Sequence, residues 1–454
     1  MDTGLRSRLA KGFSAQAFGK FSGIFIQLAS VPLLLAHWGA DLYGAWLILT
    51  AIPAYLTMSD LGFTAAAQAE MTMAVGRGDR AAASDIFQGT WLLVTALSIA
   101  IILALGGLAS FAPLAGWFNI AALSNGAIVA ILWLLGFNVL FAVQCSILYA
   151  GFHAQGKYGR GQFLLAAIRL LEFLLLALTV SLGGGPVAAA GAWLTGRAVG
   201  GMVMWLLLRR TMPEFSLGWH RARISTMKRL AKPALASLGF PLGNALNLQG
   251  VIIVIGVLFS PAAVVLFGTI RTMTRIGTQL VTALCVNVAP EISTAFGADD
   301  TARVRALHDH VCQAALWTAA VVAIGLLLFG APLLRLWTLD AVTLQWPVFA
   351  PLLAIMVING VSLASMMLVY ATNRHTRVAV VYVLVNGAVL GVAYMLGPWA
   401  GLTGIAVFLL IAESLLAAYV ISTSLSLLGE TLAEFIYTIL RPPLPLLWRF
   451  MRPK

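Results

Sequence analysis

The chain has 454 residues, of which 61% are hydrophobic and only 10% are charged, and it carries a formal net charge of +12. No soluble globular domain has this balance, because a water-exposed surface needs more polar side chains. The composition therefore indicates a membrane protein. The 3 cysteines are odd in number and lie in predicted helices, so a disulfide framework is not expected.

Twelve apolar runs follow one another along the chain, each long enough to cross ~30 Å of hydrocarbon. Each run must form a helix, because an isolated strand cannot satisfy its backbone groups in lipid. The predicted fold is an all-α polytopic membrane protein with twelve transmembrane helices. The predicted spans are 13–37, 42–75, 86–112, 124–151, 162–182, 187–210, 233–259, 262–297, 306–330, 345–370, 377–397 and 401–427.

Lysine and arginine are concentrated in alternate connections between these spans. Together with the N-terminus, these connections hold 22 of the 28 basic residues, and the opposite loops hold only Arg335. Because short cytoplasmic loops accumulate positive charge, both termini are predicted to be cytoplasmic. This topology explains most of the net charge, so no nucleic-acid partner is expected. The first run lacks a small-x-small cleavage pattern and is expected to remain as a helix.

The longest polar connection, residues 211–232, divides the chain into two sets of six predicted helices. We predict an N-terminal lobe over 1–210, a cytoplasmic linker over 211–232, a C-terminal lobe over 233–427 and an amphipathic cytoplasmic tail over 428–454. Spaced matches between the halves favour an internal duplication with a cleft between two lobes. The matches pair Gly19-x-x-x-Gly23 with Gly239-x-x-x-Gly243, Glu70 with Glu291, Gly76 with Gly297, and Ala112-Pro113-Leu114 with Ala331-Pro332-Leu333.

Two arginines one helical turn apart, Arg271 and Arg275, lie inside an apolar stretch. Each would cost about 2.5–3.5 kcal/mol if it faced lipid, so their shared face is expected to line a basic central cavity. A guanidinium matches phosphate oxygens bidentately, which predicts a site for a diphosphate or an acidic sugar. Arg197 and Lys20 are candidates to extend this positive surface. The alternative is that the arginines form structural ion pairs.

Four carboxylates stand out within or beside the predicted spans. Glu413 and Asp60 are candidates for ion coupling, although each could instead neutralise a buried arginine. Glu70 and Glu291 lie at the cytoplasmic ends of the second and eighth spans and are predicted to be gate or interface residues. On the fifth span, Glu172 is three residues from Arg169, and this spacing predicts that the two form an ion pair.

Prolines within the predicted spans indicate where helices can bend. Pro241 lies between Gly239 and Gly243 in the seventh span, and Pro53 interrupts the second. A proline removes one backbone hydrogen bond and kinks its helix. These residues are therefore the predicted hinges, with the seventh span as the moving element.

Two regions carry a resemblance to a known family. The segment Val31–Trp46, then Ser59–Phe63 and the Gly76–Asp79 turn, resembles the opening of bacterial polysaccharide flippases, which belong to the multidrug/oligosaccharidyl-lipid/polysaccharide (MOP) exporter superfamily. The run Gly268–Asp300 is similar to the eighth helix of the same family.

The resemblance implies an alternating-access exporter of the O-antigen or exopolysaccharide (Wzx) type. It would move an undecaprenyl-diphosphate-linked oligosaccharide across the bacterial inner membrane for surface polysaccharide synthesis. The expected partners are this lipid-linked glycan, membrane lipids and other polysaccharide-assembly proteins, and the protein is expected to act as a monomer.

Two other functions compete with this one. A multidrug or cation antiporter of the same superfamily would share the fold, but such antiporters carry an acid in the first helix, where this chain has Lys20. A membrane enzyme would need catalytic groups in a large external loop, and none is found. No cofactor is expected. A metal is not expected either, because His308 and His310 lie on different sides of a helix and have no cysteine partner.

Overall fold

The chain is helical throughout the part that the structure describes. The computed structural model describes residues 3–442 apart from Ser59, Asn287 and Asn373. Every secondary-structure element within these residues is a helix, and 10 helices are long and apolar enough to cross a membrane. The all-helical, multi-pass membrane fold is therefore confirmed. The twelve crossings and the cytoplasmic side of the termini stay predictions, and residues 443–454 of the predicted tail lie outside the described residues.

Two of the long helices each contain a sharp internal kink at a glycine. Helix α1 (Thr3–Leu56) has 54 residues and helix α15 (Thr376–Leu428) has 53, or roughly 80 Å each, far more than one bilayer requires. Gly39 in α1 and Gly401 in α15 have φ values of 68° and 65°, a left-handed conformation that glycine adopts without steric cost. Each helix thus consists of two segments, and the two segments of α15 correspond to the last two predicted spans.

The first compact unit comprises Met1–Val265, and its hydrophobic core is formed mainly by helices α2, α3, α5, α7 and α8. Helix α1 packs along α6, and α5 packs along α7. Residues 57–62 interrupt the predicted second span between α1 and α2. The helices after α1 are α2 (Phe63–Gly76), α3 (Arg80–Phe111), α4 (Leu114–Trp117), α5 (Asn125–Ala154), α6 (Tyr158–Ser181), α7 (Pro186–Thr211), α8 (Ile224–Ser237), α9 (Gly239–Ala245), a π-helical turn (Leu246–Gly250) and α10 (Val251–Leu258).

The predicted cytoplasmic linker is packed against α3 within this unit. The Gln88 side chain donates to the Ser216 carbonyl over 3.1 Å and accepts from the Arg221 backbone N–H over 3.1 Å. Asp85 forms an ion pair with Arg223 at 3.3 Å. The linker thus begins as an ordered loop fixed to the first unit.

Helices α9 and α10, predicted to open the C-terminal lobe, belong to the first compact unit. Asn119 Nδ2 donates to the Phe259 carbonyl over 2.9 Å. Gly44 meets the backbone of Pro261 so closely that an added Cβ would lie 2.0 Å from its carbonyl oxygen. The compact unit therefore extends beyond residue 210, and the lobe boundaries drawn from the sequence stay predictions.

The second compact unit comprises Leu266–Lys454. Its longest shared interface is between α14 and α15, and the short helix α16 packs on α13. Gly277 on α11 faces α14, where Met356 Sδ would lie 2.2 Å from an added Cβ. Its helices other than α15 are α11 (Pro261–Cys285), which starts in the first unit, α12 (Ala289–Gly297), α13 (Thr301–Thr338), α14 (Trp346–Ala371) and α16 (Leu432–Leu440).

An aspartate caps the start of a long helix at corresponding places in the two units. The Asp79 carboxylate accepts from the Ala82 backbone N–H over 2.9 Å at the start of α3, and the Asp300 carboxylate accepts from Arg303 over 3.0 Å at the start of α13. An N-cap carboxylate satisfies one of the unpaired amides of the first turn. The repeated cap supports the duplication inferred from the sequence. The Ala-Pro-Leu match differs, because Pro113 follows the end of α3 whereas Pro332 lies inside α13.

Candidate functional site

A cavity of about 380 Å³ opens within the first unit among α1, α6 and α7. Its wall carries three charged residues, Arg169, Glu172 and Arg197, on a lining that is otherwise mostly apolar and aromatic. The trio lies on membrane-spanning helices, where ionisable groups are rare and usually functional. The cavity is therefore the candidate site of this unit.

Glu172 is the central acceptor of the trio. Arg197 Nε lies 2.5 Å from Glu172 Oε1 and Nη2 lies 2.6 Å from Oε2, and Asn138 Nδ2 also donates to Oε1 over 3.1 Å. Only 5% of the Glu172 surface is exposed. Arg169 interacts electrostatically with Glu172, as its spacing predicted, but the residue bonded to the carboxylate is Arg197, which α7 brings across from another helix.

Arg169 occupies a different position in the same cavity. It is exposed, while the Glu172 carboxylate is held by two other side chains. Two tryptophans also line the cavity, and the rings of Trp46 and Trp193 lie 5.3 Å apart at an angle of 50°. The cavity thus combines an aromatic surface with two arginines against one carboxylate, an arrangement that favours an anion bearing a ring or an apolar group.

The second unit carries the two arginines that the sequence singled out. Arg271 and Arg275 are both partly buried on α11, one helical turn apart. Each interacts electrostatically with Tyr382 of α15, and Arg271 also interacts with Glu413 of the same helix. The two cations therefore face the polar side of α15, as expected if a shared face avoids lipid.

Glu413 and Tyr382 form the polar surface that α15 presents to these arginines. Glu413 has only 9% of its surface exposed, and Tyr382 interacts electrostatically with both Glu413 and the arginines. The sequence analysis identified Glu413 but missed Tyr382. A tyrosine in an apolar helix gives no signal by itself, and Tyr382 and Glu413 lie on different segments of α15, on either side of Gly401, so the sequence did not link them.

Lys20 and Asp60 lie apart from the charged trio. Lys20 is exposed on α1, three residues before Gly23, where the part of α1 lining the cavity begins. Asp60 lies in the break between α1 and α2, and its Oδ1 accepts from the Gly62 backbone N–H over 3.0 Å. The preceding Leu61 has a φ of 47° and Gly62 a φ of 77°. Asp60 thus stabilises a tight turn, and its role in ion coupling stays a prediction.

Glu70 and Glu291 each form an ion pair within their own unit. Glu70 Oε2 lies 3.1 Å from Arg229 Nη2 of the linker helix α8, and Glu291 Oε2 lies 3.3 Å from Arg303 Nη2 of α13. Both arginines are more than half exposed, so each pair contributes little stability. Their role as gate residues stays a prediction.

The predicted hinge residues lie at interruptions of the helical ladder. Gly239 begins α9, Pro241 lies in its first turn after a bend at Leu238, and Gly243 is buried one turn later. The π-helical turn Leu246–Gly250 follows, which further loosens the regular hydrogen-bond pattern. Pro53 is buried inside the second segment of α1, three residues before the helix ends. Motion at these positions stays a prediction.

Comparison of the sequence with family models and with curated proteins gives no match. The fold, by contrast, is similar to solved transporter structures. The lipid II flippase MurJ in an inward closed conformation aligns with a TM-score of 0.67 at 14% identity, covering 97% of this chain and 92% of that chain.

Two further structures show the same similarity. An inward-facing multidrug resistance transporter of the MATE family, MOP superfamily, aligns with a TM-score of 0.66 at 14% identity, covering 89% of this chain and 98% of that chain. A MOP superfamily transporter from Pyrococcus furiosus Vc1, described as having a binding pocket of reverse polarity, aligns at 0.54 and 16% identity, covering 93% and 95%. The chain thus has the fold of MOP superfamily transporters.

Proposed function

We propose that this protein is a MOP-type flippase that moves an anionic lipid-linked glycan across the bacterial inner membrane. One observation carries the proposal: each unit has a set of two arginines and one glutamate that lies within its membrane-spanning helices, away from the helix ends. The sets are Arg169, Arg197 and Glu172 in the first unit, and Arg271, Arg275 and Glu413 in the second.

Both sets carry a formal charge of +1, because each glutamate balances only one of its two arginines. An unbalanced cation in apolar surroundings is costly, and an anionic substrate group would reduce that cost. A diphosphate offers several oxygens to the planar donor fork of arginine, and an acidic sugar offers a carboxylate. We assign substrate binding to Arg271 and Arg275 in the second unit and to Arg169 in the first, with Arg197 acting through Glu172.

The fold comparison supports the mode of action. The similar structures include the lipid II flippase MurJ and MATE-family transporters in inward-facing and outward-facing conformations. Under this proposal the chain alternates between such states, with bending near Pro241, and carries an undecaprenyl-diphosphate-linked oligosaccharide for surface polysaccharide synthesis. It works as a monomer beside other polysaccharide-assembly proteins. We propose no enzymatic step and no cofactor.

A multidrug antiporter is the second candidate. The MATE-family structures share its fold, and a buried carboxylate such as Glu413 could exchange a proton during transport. An antiporter for organic cations would need a cavity of net negative charge, whereas both arginine sets are net positive. The charge of the two sets therefore favours the flippase.

Reconstitution in liposomes distinguishes the two functions. The probe is a fluorescent undecaprenyl-diphosphate-linked oligosaccharide in the bilayer. A membrane-impermeant reductant quenches only the probe in the outer leaflet, so the quenched fraction reports flipping. We expect the wild-type protein to flip the probe, and Arg271→Ala/Arg275→Ala to slow flipping at least tenfold. Arg335→Ala is the matched control, because Arg335 is an exposed arginine of the same unit at the end of α13.

A parallel assay in the same vesicles measures uptake of a cationic dye driven by a proton gradient. Dye transport without flipping of the probe would overturn the proposal in favour of the antiporter. Equal flipping by the double variant and by Arg335→Ala would also overturn it, since the arginines would then bind no substrate.

A further inference from the structure

A second polar cluster lies in the second unit, where the start of α13 meets the segment before α16. His308 and Asp309 belong to α13, and Glu430 precedes α16 by two residues. One ligand atom from each side chain lies within 4.8 Å of the other two. His308 has no exposed surface and Glu430 has only 7%. Three potential metal ligands thus converge in a buried place, on segments more than 100 residues apart.

The hydrogen bonds of His308 leave one ring nitrogen facing this cluster. Nε2 lies 3.3 Å from Ser365 Oγ and 3.6 Å from Cys312 Sγ, whereas Nδ1 makes no hydrogen bond with any described residue. Asp309 Oδ1 lies 3.6 Å from Nδ1, which is too long for a hydrogen bond. Buried polar atoms normally have a partner, so an unsatisfied imidazole nitrogen between two carboxylates points to a ligand that is a cation.

The charges around the cluster also favour a cation. Arg305 lies 3.1 Å from Glu430 Oε1 and 3.2 Å from Glu434 Oε2, so its single charge is shared. Glu430 is buried, and its carboxylate lies close to that of Asp309, so two like charges meet with only the shared charge of Arg305 beside them. The two carboxylates of the cluster therefore retain unfavourable desolvation and repulsion that a bound cation would relieve.

We propose that His308 Nδ1, Asp309 and Glu430 bind one divalent transition-metal ion. One imidazole nitrogen and two carboxylate oxygens form a donor set that suits Zn²⁺ or Mn²⁺, whereas Ca²⁺ and Mg²⁺ prefer oxygen alone. Such an ion would bind its ligands at about 2.0–2.2 Å. Water would complete the coordination.

The position of the site gives the ion a structural role. Helix α16 already packs on α13: Phe435 stacks on the His308 ring at 5.5 Å, and the Arg441 carbonyl accepts from Gln313 over 2.7 Å and from Trp317 over 3.0 Å. A metal ion shared by α13 and Glu430 would fix the start of α16 to α13. The ion would thus control how firmly this amphipathic helix stays docked.

Metal titration of the full chain in detergent tests the site. After removal of metals with EDTA, the probes are Zn²⁺ and Ca²⁺, each added separately and followed by calorimetry. We expect about one equivalent of Zn²⁺ to bind, the thermal midpoint to rise, and amide exchange in Leu432–Leu440 to slow. We expect Ca²⁺ to cause none of these changes.

Glu430→Gln keeps the shape of the side chain but removes a ligand, and should weaken Zn²⁺ binding at least tenfold. Glu434→Gln is the matched control, because it also removes a carboxylate that pairs with Arg305 but leaves the cluster intact. His310→Gln removes the neighbouring exposed histidine and should leave binding unchanged. Asp309→Asn repeats the test if Glu430→Gln does not fold. Two results would overturn the site. One is an equal weakening of Zn²⁺ binding in Glu434→Gln and Glu430→Gln. The other is a folded Glu430→Gln or Asp309→Asn variant that binds Zn²⁺ as tightly as the wild-type protein.

Discussion

Arg197 and Glu172 form a two-point ion pair in the first unit, with Nε 2.5 Å from Oε1 and Nη2 2.6 Å from Oε2. A guanidinium held at two points has few donors left for another anion. The pair therefore gives the two arginines of this cavity different tasks. Arg197 orders the carboxylate and the wall around it, whereas Arg169 is exposed and able to meet a substrate.

Arg197→Ala should destabilise the protein. Removing one partner of a buried ion pair leaves an uncompensated charge and typically costs about 3–5 kcal/mol. The expected result is a lower thermal midpoint of the purified protein and less folded protein in the membrane. Scanning fluorimetry and size-exclusion chromatography in detergent measure both.

The double variant Arg197→Ala/Glu172→Gln checks the cause. It removes both charges, so it should recover a large part of the lost stability. If the double variant is as unstable as Arg197→Ala, the arginine stabilises the wall by packing alone, and the ion pair is not the reason.

Arg169→Ala should instead reduce transport while leaving stability nearly unchanged. The side chain is exposed, so its removal leaves no buried charge without a partner. The flipping assay in liposomes should show a loss of at least threefold, with Arg169→Lys retaining part of the rate because the charge remains but the planar fork is lost. A drop in thermal midpoint as large as that of Arg197→Ala would contradict this division of tasks.

Arg271 and Glu413 should be coupled, and Arg275 and Glu413 should not. Arg271 interacts electrostatically with Glu413. Arg275 interacts electrostatically with Tyr382 instead. A double-mutant cycle on thermal stability compares Arg271→Ala, Glu413→Gln and their combination with the same cycle for Arg275→Ala. We expect a coupling of about 1–3 kcal/mol in the first cycle and a value near zero in the second. Equal coupling in both cycles would contradict the assignment.

Pro241→Ala should slow transport without loss of folded protein. Proline at this position has no backbone N–H and so interrupts the backbone hydrogen bonds of the helix near the bend at Leu238. Alanine would supply that donor, which would allow a continuous and stiffer helix. The rate of flipping at equal protein abundance measures the effect. Pro332→Ala, a change at a proline inside α13, serves as the control and should leave the rate unaltered.

Reporter fusions test the topology that the basic residues predict. A reporter inserted near Gly184, in the turn between α6 and α7, should register outside the cytoplasm, and one near Arg221 in the linker should register inside. The reverse pattern would exclude cytoplasmic termini with twelve crossings.

The membrane class and the helical fold follow from the sequence, because an apolar run in lipid has only one way to satisfy its backbone groups. The sequence also predicted the polar faces of Arg271 and Arg275, since residues four apart on a helix share a side whatever packs against them. The cap at Asp79 and its repeat at Asp300 are local as well. A side-chain oxygen next to a first turn needs no distant partner to act as an N-cap.

The tertiary structure alone decided which charges meet. Local spacing paired Glu172 with Arg169, but α7 places Arg197 at the same carboxylate, where it bonds both oxygens. His308 looked isolated because its neighbours Asp309 and Glu430 are brought together only when α16 folds back on α13. Contacts between residues far apart in sequence depend on helix packing, which hydrophobic periodicity does not encode. For this reason the apolar pattern determines the class of fold, whereas the ion pairs and the grouping of His308, Asp309 and Glu430 depend on the packed chain.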